Sequence, residues 1–366
     1  MSKILTVVGT RPEIIRLSRI IPKLDILLGS NHILAHTGQN YDKNLNEIFF
    51  KELKLRQPNI FMNATGSFGK QIGIIMTETE KILDNIRPDK ILILGDTNTD
   101  LSAYIAARKG IPIFHMEAGN RCWDKTVGEE INRRMIDHIS TYNCPYTQYS
   151  KENLIREGIN PQTIYISGNP IWEVLSYYKK EIERSTILKT LHLHDKEYVL
   201  VTLHRAENVD NAQRFQQIFN GLNAISENKR VIVSTHPRTR DKLNQINTKC
   251  NSRVEFLSPF GFMDFIKLQQ HTKCILTDSG TVQEEACILK VPCVVIRRTT
   301  ERPETIECGA TILAGVETNK IYESYKYAIN MSTNWQVPKE YLYLNVSDRV
   351  INYLVSKPNL IEEKND

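Results

Sequence analysis

The feature that most constrains this chain is a series of short apolar runs, many rich in β-branched residues, separated by longer stretches with helical spacing. The runs cover residues 4–8, 32–35, 91–94, 111–115 and 165–167, then 198–203, 231–234, 254–257, 274–277 and 291–296. Runs of this length, apolar on both faces, suit buried parallel strands better than half-exposed antiparallel ones. The stretch 70–86 places Ile72, Ile75, Met76, Thr79, Ile82 and Leu83 at helical spacing and stops before Arg87-Pro88. Strands alternating with helices predict parallel sheets covered by helices. At 366 residues the chain exceeds the roughly 250–300 residues at which single cores stop growing. The expectation is an α/β protein of two Rossmann-like domains. The charged, weakly apolar stretch 179–195 divides them, giving 1–180 and 181–347. A last helix in 348–366 is expected to pack back on the first domain, and its end, 361–366, to fray.

Composition narrows the class. Hydrophobic content of 41% and charged content of 24% are ordinary for a globular protein. The net charge of +5, from 47 basic and 42 acidic residues, is spread along the chain. With no block of like charge, neither a nucleic-acid nor a membrane partner is indicated. Seven cysteines without a CxxC pair read as reduced thiols in the cytoplasm. No leader-like segment opens the chain, and no apolar run reaches the roughly 18 residues of a membrane helix. No spacing implies a metal or a redox cofactor, and the absence of GxGxxG weighs against a dinucleotide.

In open parallel sheets ligands bind beyond the carboxyl ends of the strands, so the residues after each run carry the functional information. In the first half these are Gly9-Thr10-Arg11-Pro12-Glu13, Thr37-Gly38-Gln39-Asn40, Gly95-Asp96-Thr97 and Glu117-Ala118-Gly119. In the second they are His204-Arg205, His236-Pro237-Arg238 and Asp278-Ser279-Gly280-Thr281. The last is the strongest phosphate signal: a strand end turning into a helix through glycine, where backbone N–H groups favour an anion. Thr281 and Glu284 also have capping-box spacing. Glu285, one residue further around, is placed to reach ribose hydroxyls. Arg11 follows a strand directly and suits a diphosphate, whereas Arg16 reads equally as a solvated helix face. His204 beside Arg205 suits a phosphate oxygen, and His236 is the weaker candidate. Three carboxylates, Asp96, Glu117 and Glu129, suit proton transfer near a phosphosugar, since burial at strand ends raises a carboxyl pKa. Thr126 and Glu129 also fit a capping box.

Taken in order, these segments resemble the non-hydrolysing UDP-N-acetylglucosamine 2-epimerase family. The motifs are Gly9-Thr10-Arg11-Pro12-Glu13, Gly95-Asp96-Thr97, Glu117-Ala118-Gly119, Glu129-Glu130-Ile131-Asn132-Arg133, Thr277-Asp278-Ser279-Gly280 with Gln283-Glu284-Glu285, and Thr300-Glu301-Arg302-Pro303-Glu304. The resemblance implies a fold like the GT-B glycosyltransferases, with a UDP-sugar in the interdomain cleft, and a homodimer. It implies inversion at C2 of a UDP-N-acetylhexosamine by elimination of UDP to a 2-acetamidoglucal and re-addition. On the matched positions Asp96, Glu117 and Glu129 are the acid/base group. His204 and Arg11 stabilise the departing diphosphate, Ser279, Gly280 and Thr281 cradle it, Glu285 holds the ribose, and Arg133 and Arg302 complete the anionic pocket.

Some positions depart from the family pattern. Gln39-Asn40 stands where Gln-His is typical, Arg16 where lysine is usual, Thr281 where a second glycine is common, and Gly128 where proline is frequent. The stretch 115–122 is similar to a subgroup that forms UDP-N-acetyl-L-fucosamine from a UDP-linked 2-acetamido-2,6-dideoxy-L-talose, whereas Thr299-Thr300-Glu301-Arg302 is similar to the main family. A GT-B glycosyltransferase, a hydrolysing epimerase and a non-catalytic nucleotide-sugar sensor are the rival readings.

Overall fold

The computed structural model describes residues 2–39, 43–245 and 250–357. Asn40 and the tail 361–366 lie outside these. The chain divides into two compact units: one runs to Ser176 and resumes at Lys339, the other spans Tyr177–Pro338.

The first unit is built on a six-stranded parallel sheet of β1 (Ile4–Val8), β2 (His32–His36), β3 (Ile60–Phe61), β4 (Lys90–Leu94), β5 (Ile113–Met116) and β6 (Tyr142–Cys144), in the order β3-β2-β1-β4-β5-β6. β1 pairs with both β2 and β4, so the strand order reverses there. The loops leaving β1 and β4 therefore flank the topological switch point, where open α/β sheets bind ligands. Leu5, Val7, Ile91, Ile93 and Ile113 pack in one core with Ile82 and Leu83 from the helix Phe68–Ile86. That helix ends where Arg87 turns left-handed, immediately before Pro88, which cannot continue it. The helix Val346–Ser356 packs on Ile20–Leu28. Lys23 Nζ donates to Ser347 Oγ at 2.7 Å, and the Tyr353 ring stacks on Tyr165 at 4.5 Å.

The second unit repeats the plan with β7 (Tyr198–Leu203), β8 (Arg230–Thr235), β9 (Val254–Leu257), β10 (Cys274–Thr277), β11 (Cys293–Val295) and β12 (Thr311–Leu313), in the order β12-β11-β10-β7-β8-β9. Val199, Val201 and Leu203 enter one core while Tyr198 and Leu200 enter the core on the opposite face. Alternate residues of a strand point to opposite faces, and both faces here are buried. Val199, Leu200 and Val201 are apolar in succession for that reason. β7 pairs with β8 and β10, which puts the second switch point beside His204 and Asp278.

Three strands, β3, β6 and β12, escape the sequence reading. Each has two or three residues and stands at the end of its sheet, too short for a periodic signal. Residues 165–167, expected as a strand, run beside β6 with N–H donations from Tyr165 to Asn143 O and from Ser167 to Pro145 O, both 2.9 Å. Only a single bridge, Asn143–Ile164, forms there, and the left-handed Gly168 turns the chain away. Among the described residues no helix is long and apolar enough to cross a membrane.

Candidate active site

In the first unit the loop after β1 is held by a capping box. Thr10 caps the helix Arg11–Leu17, and Glu13 Oε2 accepts from the N–H groups of Gly9 at 2.5 Å and Thr10 at 3.1 Å. Glu13 Oε1 faces the hydroxyls of Thr10 at 2.7 Å and Thr97 at 2.9 Å, tying the β1 loop to the β4 loop. Burial pushes the Glu13 carboxyl up to about 7, partly offset by these donors. Asp100, wholly buried, is raised well above the carboxylate range by burial and by the charges of Glu13, Asp96 and Glu117. Four acids therefore gather where β1, β4 and β5 end. Arg11 lies over the Phe49 ring at 5.9 Å.

Asp96 accepts from Arg133 on one oxygen: Nε and Nη2 each lie 2.7 Å from Oδ2. The same guanidinium meets Glu130 Oε2 at 2.9 Å. Asn132 donates to the Asp96 carbonyl at 2.9 Å, so one helix, Gly128–Ile139, positions Asp96 from two sides. The Asp96 side chain remains 23% exposed. Gln39 Oε1 accepts from Thr99 N–H and Oγ1 at 2.9 and 3.0 Å, making Gln39 a brace for the β4 loop. Gly9 lies under that brace: a Cβ there would sit 2.0 Å from the hydroxyls of Thr37 and Thr99.

Glu117 carries a left-handed backbone, φ +67°, which for a residue with a side chain costs about 1–3 kcal/mol and persists only where the surroundings impose it. Here the agent is Asp137, which sequence reading missed. Its carboxylate accepts from Gly119 N–H at 3.1 Å, and lies 2.7 Å from Arg121 Nη1 and 2.9 Å from His115 Nδ1. The other ring nitrogen of His115 lies 2.7 Å from the Gly95 carbonyl. A carbonyl only accepts, so Nε2 carries hydrogen there. Burial would raise Asp137, but the His115 and Arg121 partners prevail and hold it below the usual carboxylate range. One buried acid thus positions both the loop bearing Asp96 and the loop bearing Glu117. Glu117 itself accepts from Tyr146 OH at 3.3 Å and from Asn120 Nδ2 at 3.4 Å.

Arg16 is not on a solvated face: it is 1% exposed, its Nη1 donates to Asn169 at 2.8 Å, and it lies over the Tyr146 ring at 5.7 Å. Glu129, half-buried, stands in the first turn of its helix. The capping box expected of Thr126 and Glu129 does not form. Val127 is the N-cap, and Thr126 bonds Asp124 Oδ1 through both N–H and hydroxyl.

In the second unit Asp278 organises the switch point. Its buried carboxylate accepts from the N–H groups of His204 at 3.1 Å and Arg205 at 3.0 Å, with His204 Nδ1 3.2 Å away. Burial raises its pKa, but the His204 and Arg205 charges dominate and lower it. The His204 and His236 rings stand 5.8 Å apart. Ser279 caps the helix Gly280–Ile288, and its hydroxyl lies 3.0 Å from that of Thr281. The Thr281–Glu284 capping box expected from spacing is absent, because the helix begins at Gly280 and Glu284 is taken by Arg302 Nε. Beneath the cap, Glu301 lies 2.9 Å from Arg297 and 3.7 Å from Arg205. A Cβ on Gly280 would stand 2.3 Å from Glu301 Oε1, so a side chain there would push the Glu301 carboxylate aside. Glu285 Oε2 accepts from Gln269 Nε2 at 2.6 Å. Arg302 and Arg205 thus share Glu301, and Thr300 Oγ1 donates to Gln283 at 2.7 Å. Among the described residues no group of three or more His, Cys, Asp or Glu could hold a metal ion.

Two parallel sheets, each with polar and ionisable side chains gathered at its own switch point, define an α/β protein laid out as an enzyme. The model of a family described as UDP-N-acetylglucosamine 2-epimerase matches residues 29–355. The UDP-N-acetylglucosamine 2-epimerase of Methanocaldococcus jannaschii is 42% identical over 347 residues, covering 92% of this chain and 94% of that one. The UDP-2,3-diacetamido-2,3-dideoxy-D-glucuronate 2-epimerase of Pseudomonas aeruginosa is 35% identical, covering 89% and 92%. The solved structure of the M. jannaschii UDP-GlcNAc 2-epimerase in complex with UDP-GlcNAc and UDP aligns with a TM-score of 0.92 at 40% identity, covering 97% and 99%. The chain belongs to the UDP-N-acetylglucosamine 2-epimerase family, whose members are isomerases.

Proposed function

We propose that this chain interconverts UDP-N-acetylglucosamine and UDP-N-acetylmannosamine, supplying a precursor for surface polysaccharide. The observation that carries the reading is the convergence of Asp96, Glu117, Asp100 and Glu13 at the ends of β1, β4 and β5, with Asp96 oriented by Arg133 and Glu117 held on a strained backbone.

The C2 hydrogen has no neighbouring carbonyl to acidify it, so its removal is coupled to departure of UDP. The C1–O bond breaks with its electron pair leaving on the diphosphate, and a carboxylate takes the C2 proton, leaving a C1–C2 double bond. A proton returns to C2 from the opposite face, and a diphosphate oxygen re-forms the bond to C1. Asp96, Glu117 and Glu129 are the acid/base group for these transfers, which positioned side chains accelerate by roughly 10²–10⁴. In the second unit Ser279, Gly280 and Thr281 cradle the diphosphate at a helix N-terminus. His204, Arg205, His236 and Arg302 offset its charge. Glu285 holds the ribose. Gln39 and Arg133 act by keeping the β4 loop and Asp96 in place. The proposal includes a homodimer, tested by light scattering, and action in the cytoplasm, in keeping with the absence of any disulfide among the described residues.

The test is proton NMR of the protein with UDP-N-acetylglucosamine in deuterated water. The C2 epimer, with deuterium at C2, is expected, with no accumulation of free UDP. Turnover of the UDP-linked 2-acetamido-2,6-dideoxy-L-talose alone would reassign the sugar. Binding of UDP without exchange on either sugar would overturn the reading in favour of a transferase or a sensor.

A further inference from the structure

Outside the residues used above, the second unit holds a pair of thiols in contact. Cys287 lies near the end of the helix Gly280–Ile288, and Cys308 directly follows the helix Pro303–Glu307; their Sγ atoms are 3.6 Å apart. The two are unlike. Cys287 is buried beside Ala310 and Trp335, whereas Cys308 is half-exposed. Their acidities divide in the same sense. The hydrogen bond from Cys287, helped by the Lys290 charge, lowers Cys308 to about 7, while Cys287 is raised by that same bond and by burial. An accessible thiol with substantial thiolate at neutral pH, backed by a buried thiol in contact, is the arrangement that attacks a disulfide and then resolves the adduct.

We propose that Cys308 and Cys287 form a thiol-modification site that takes small disulfides of the glutathione-disulfide class and closes to an intramolecular bond. The Cys308 thiolate attacks one sulfur of the small disulfide, whose S–S bond breaks, and the first thiolate leaves and takes a proton from water. Cys287 then gives up its proton to the second departing thiolate and attacks Cys308 Sγ, forming the protein disulfide. Two protein thiols are oxidised by two electrons, and one small disulfide is reduced to two thiols. Closure asks the sulfurs to approach by about 1.5 Å to reach bonding distance. Gly309, left-handed at φ +84°, follows Cys308 and gives the chain room to turn. The bond would link the helix that opens with Ser279 and Gly280 to the helix that follows Arg302, the partner of Glu284.

Half-buried Cys250, raised by burial to about 11, is an internal control. Its smaller thiolate fraction outweighs its greater intrinsic nucleophilicity, so Cys308 should react with a small disulfide on the order of ten- to a hundredfold faster. The folded protein is incubated with glutathione disulfide near neutral pH, remaining thiols are alkylated, and the digest is mapped by mass spectrometry. The expected product joins the Cys287 and Cys308 peptides with loss of two hydrogens, reverses with dithiothreitol, and leaves the other five cysteines alkylated. Cys287→Ser keeps a hydroxyl donor beside Cys308 and should accumulate a stable glutathione adduct there; Cys308→Ser should react at neither position. Alkylation of Cys308 no faster than Cys250, or no adduct on Cys308 in the Cys287→Ser protein, would overturn the proposal. Neither readout depends on sugar turnover, so the result stands apart from the epimerase reading.

Discussion

Replacing Glu13 by glutamine should leave stability in acid unchanged and raise it progressively as pH rises. The folded carboxyl sits at about 7 against an ordinary 4.5. Below the lower value both folded and unfolded states hold the proton. Above it the unfolded state ionises while the folded state does not, so this group's contribution falls as pH rises and is lost through about 7. Two and a half units at about 1.4 kcal/mol each amount to roughly 3.5 kcal/mol, of which about 3 is expressed by pH 8. The amide mimics the protonated acid. Its oxygen can take the two N–H donations of Gly9 and Thr10 made to Oε2, and its NH₂ can donate to the Thr10 and Thr97 hydroxyls now facing Oε1. Near pH 4, below the unfolded value, the two proteins should be nearly equal in stability. Near pH 8 the variant should be the more stable by about 3 kcal/mol, and loss of the Glu13 charge beside Asp100 acts in the same direction. Urea unfolding of both proteins across this range, taken as a difference so that shared titrations cancel, reads the effect. A difference that stays constant, or a variant that grows less stable with rising pH, would show that Glu13 is ionised in the fold and refute the reasoning.

Other perturbations separate chemistry from scaffolding. Asp96→Asn should cut turnover by roughly 10²–10⁴ while leaving UDP affinity unchanged by calorimetry; parallel loss of both would remove Asp96 from the chemistry. Asp137→Asn leaves Arg121 and His115 facing an amide in a buried site, a loss of about 3–5 kcal/mol, and should lower kcat with little change in KM. The Asp137 pKa is depressed, so its contribution is present above about pH 4 and lost as pH falls through the folded value; a melting-temperature gap between variant and wild type that fails to narrow in acid would contradict this. Glu285→Gln should weaken UDP binding by about tenfold, the worth of roughly 1.4 kcal/mol, and unchanged affinity would take Glu285 out of the ribose contact.

The alternation of apolar runs and helical stretches made two parallel α/β sheets legible, because a strand buried on both faces is apolar on both, as β7 is over Val199, Leu200 and Val201. The same logic exposed the polar residues at strand ends, since an ionisable group directly after a buried run has few places to go except the sheet edge. Local patterns failed where distant partners intervened. The Thr281–Glu284 spacing fits a cap, yet Arg302, 18 positions on, claims Glu284 and the helix starts elsewhere. Arg16 reads equally as a diphosphate contact or a solvated helix face until Asn169, 153 positions away, meets it in the interior. Asp137 and Asp100 carry no signal beyond being acidic residues on helical segments. Folding buries them, supplies His115 and Arg121 to one and surrounds the other with Glu13, Asp96 and Glu117. What the sequence determined by itself was periodicity and the strand ends, because these depend on residues within a turn or two of one another. Which acid holds a proton, and which holds its neighbours in place, was decided only by the tertiary structure, because the cost of burying a charge is set by partners brought together across the sheet.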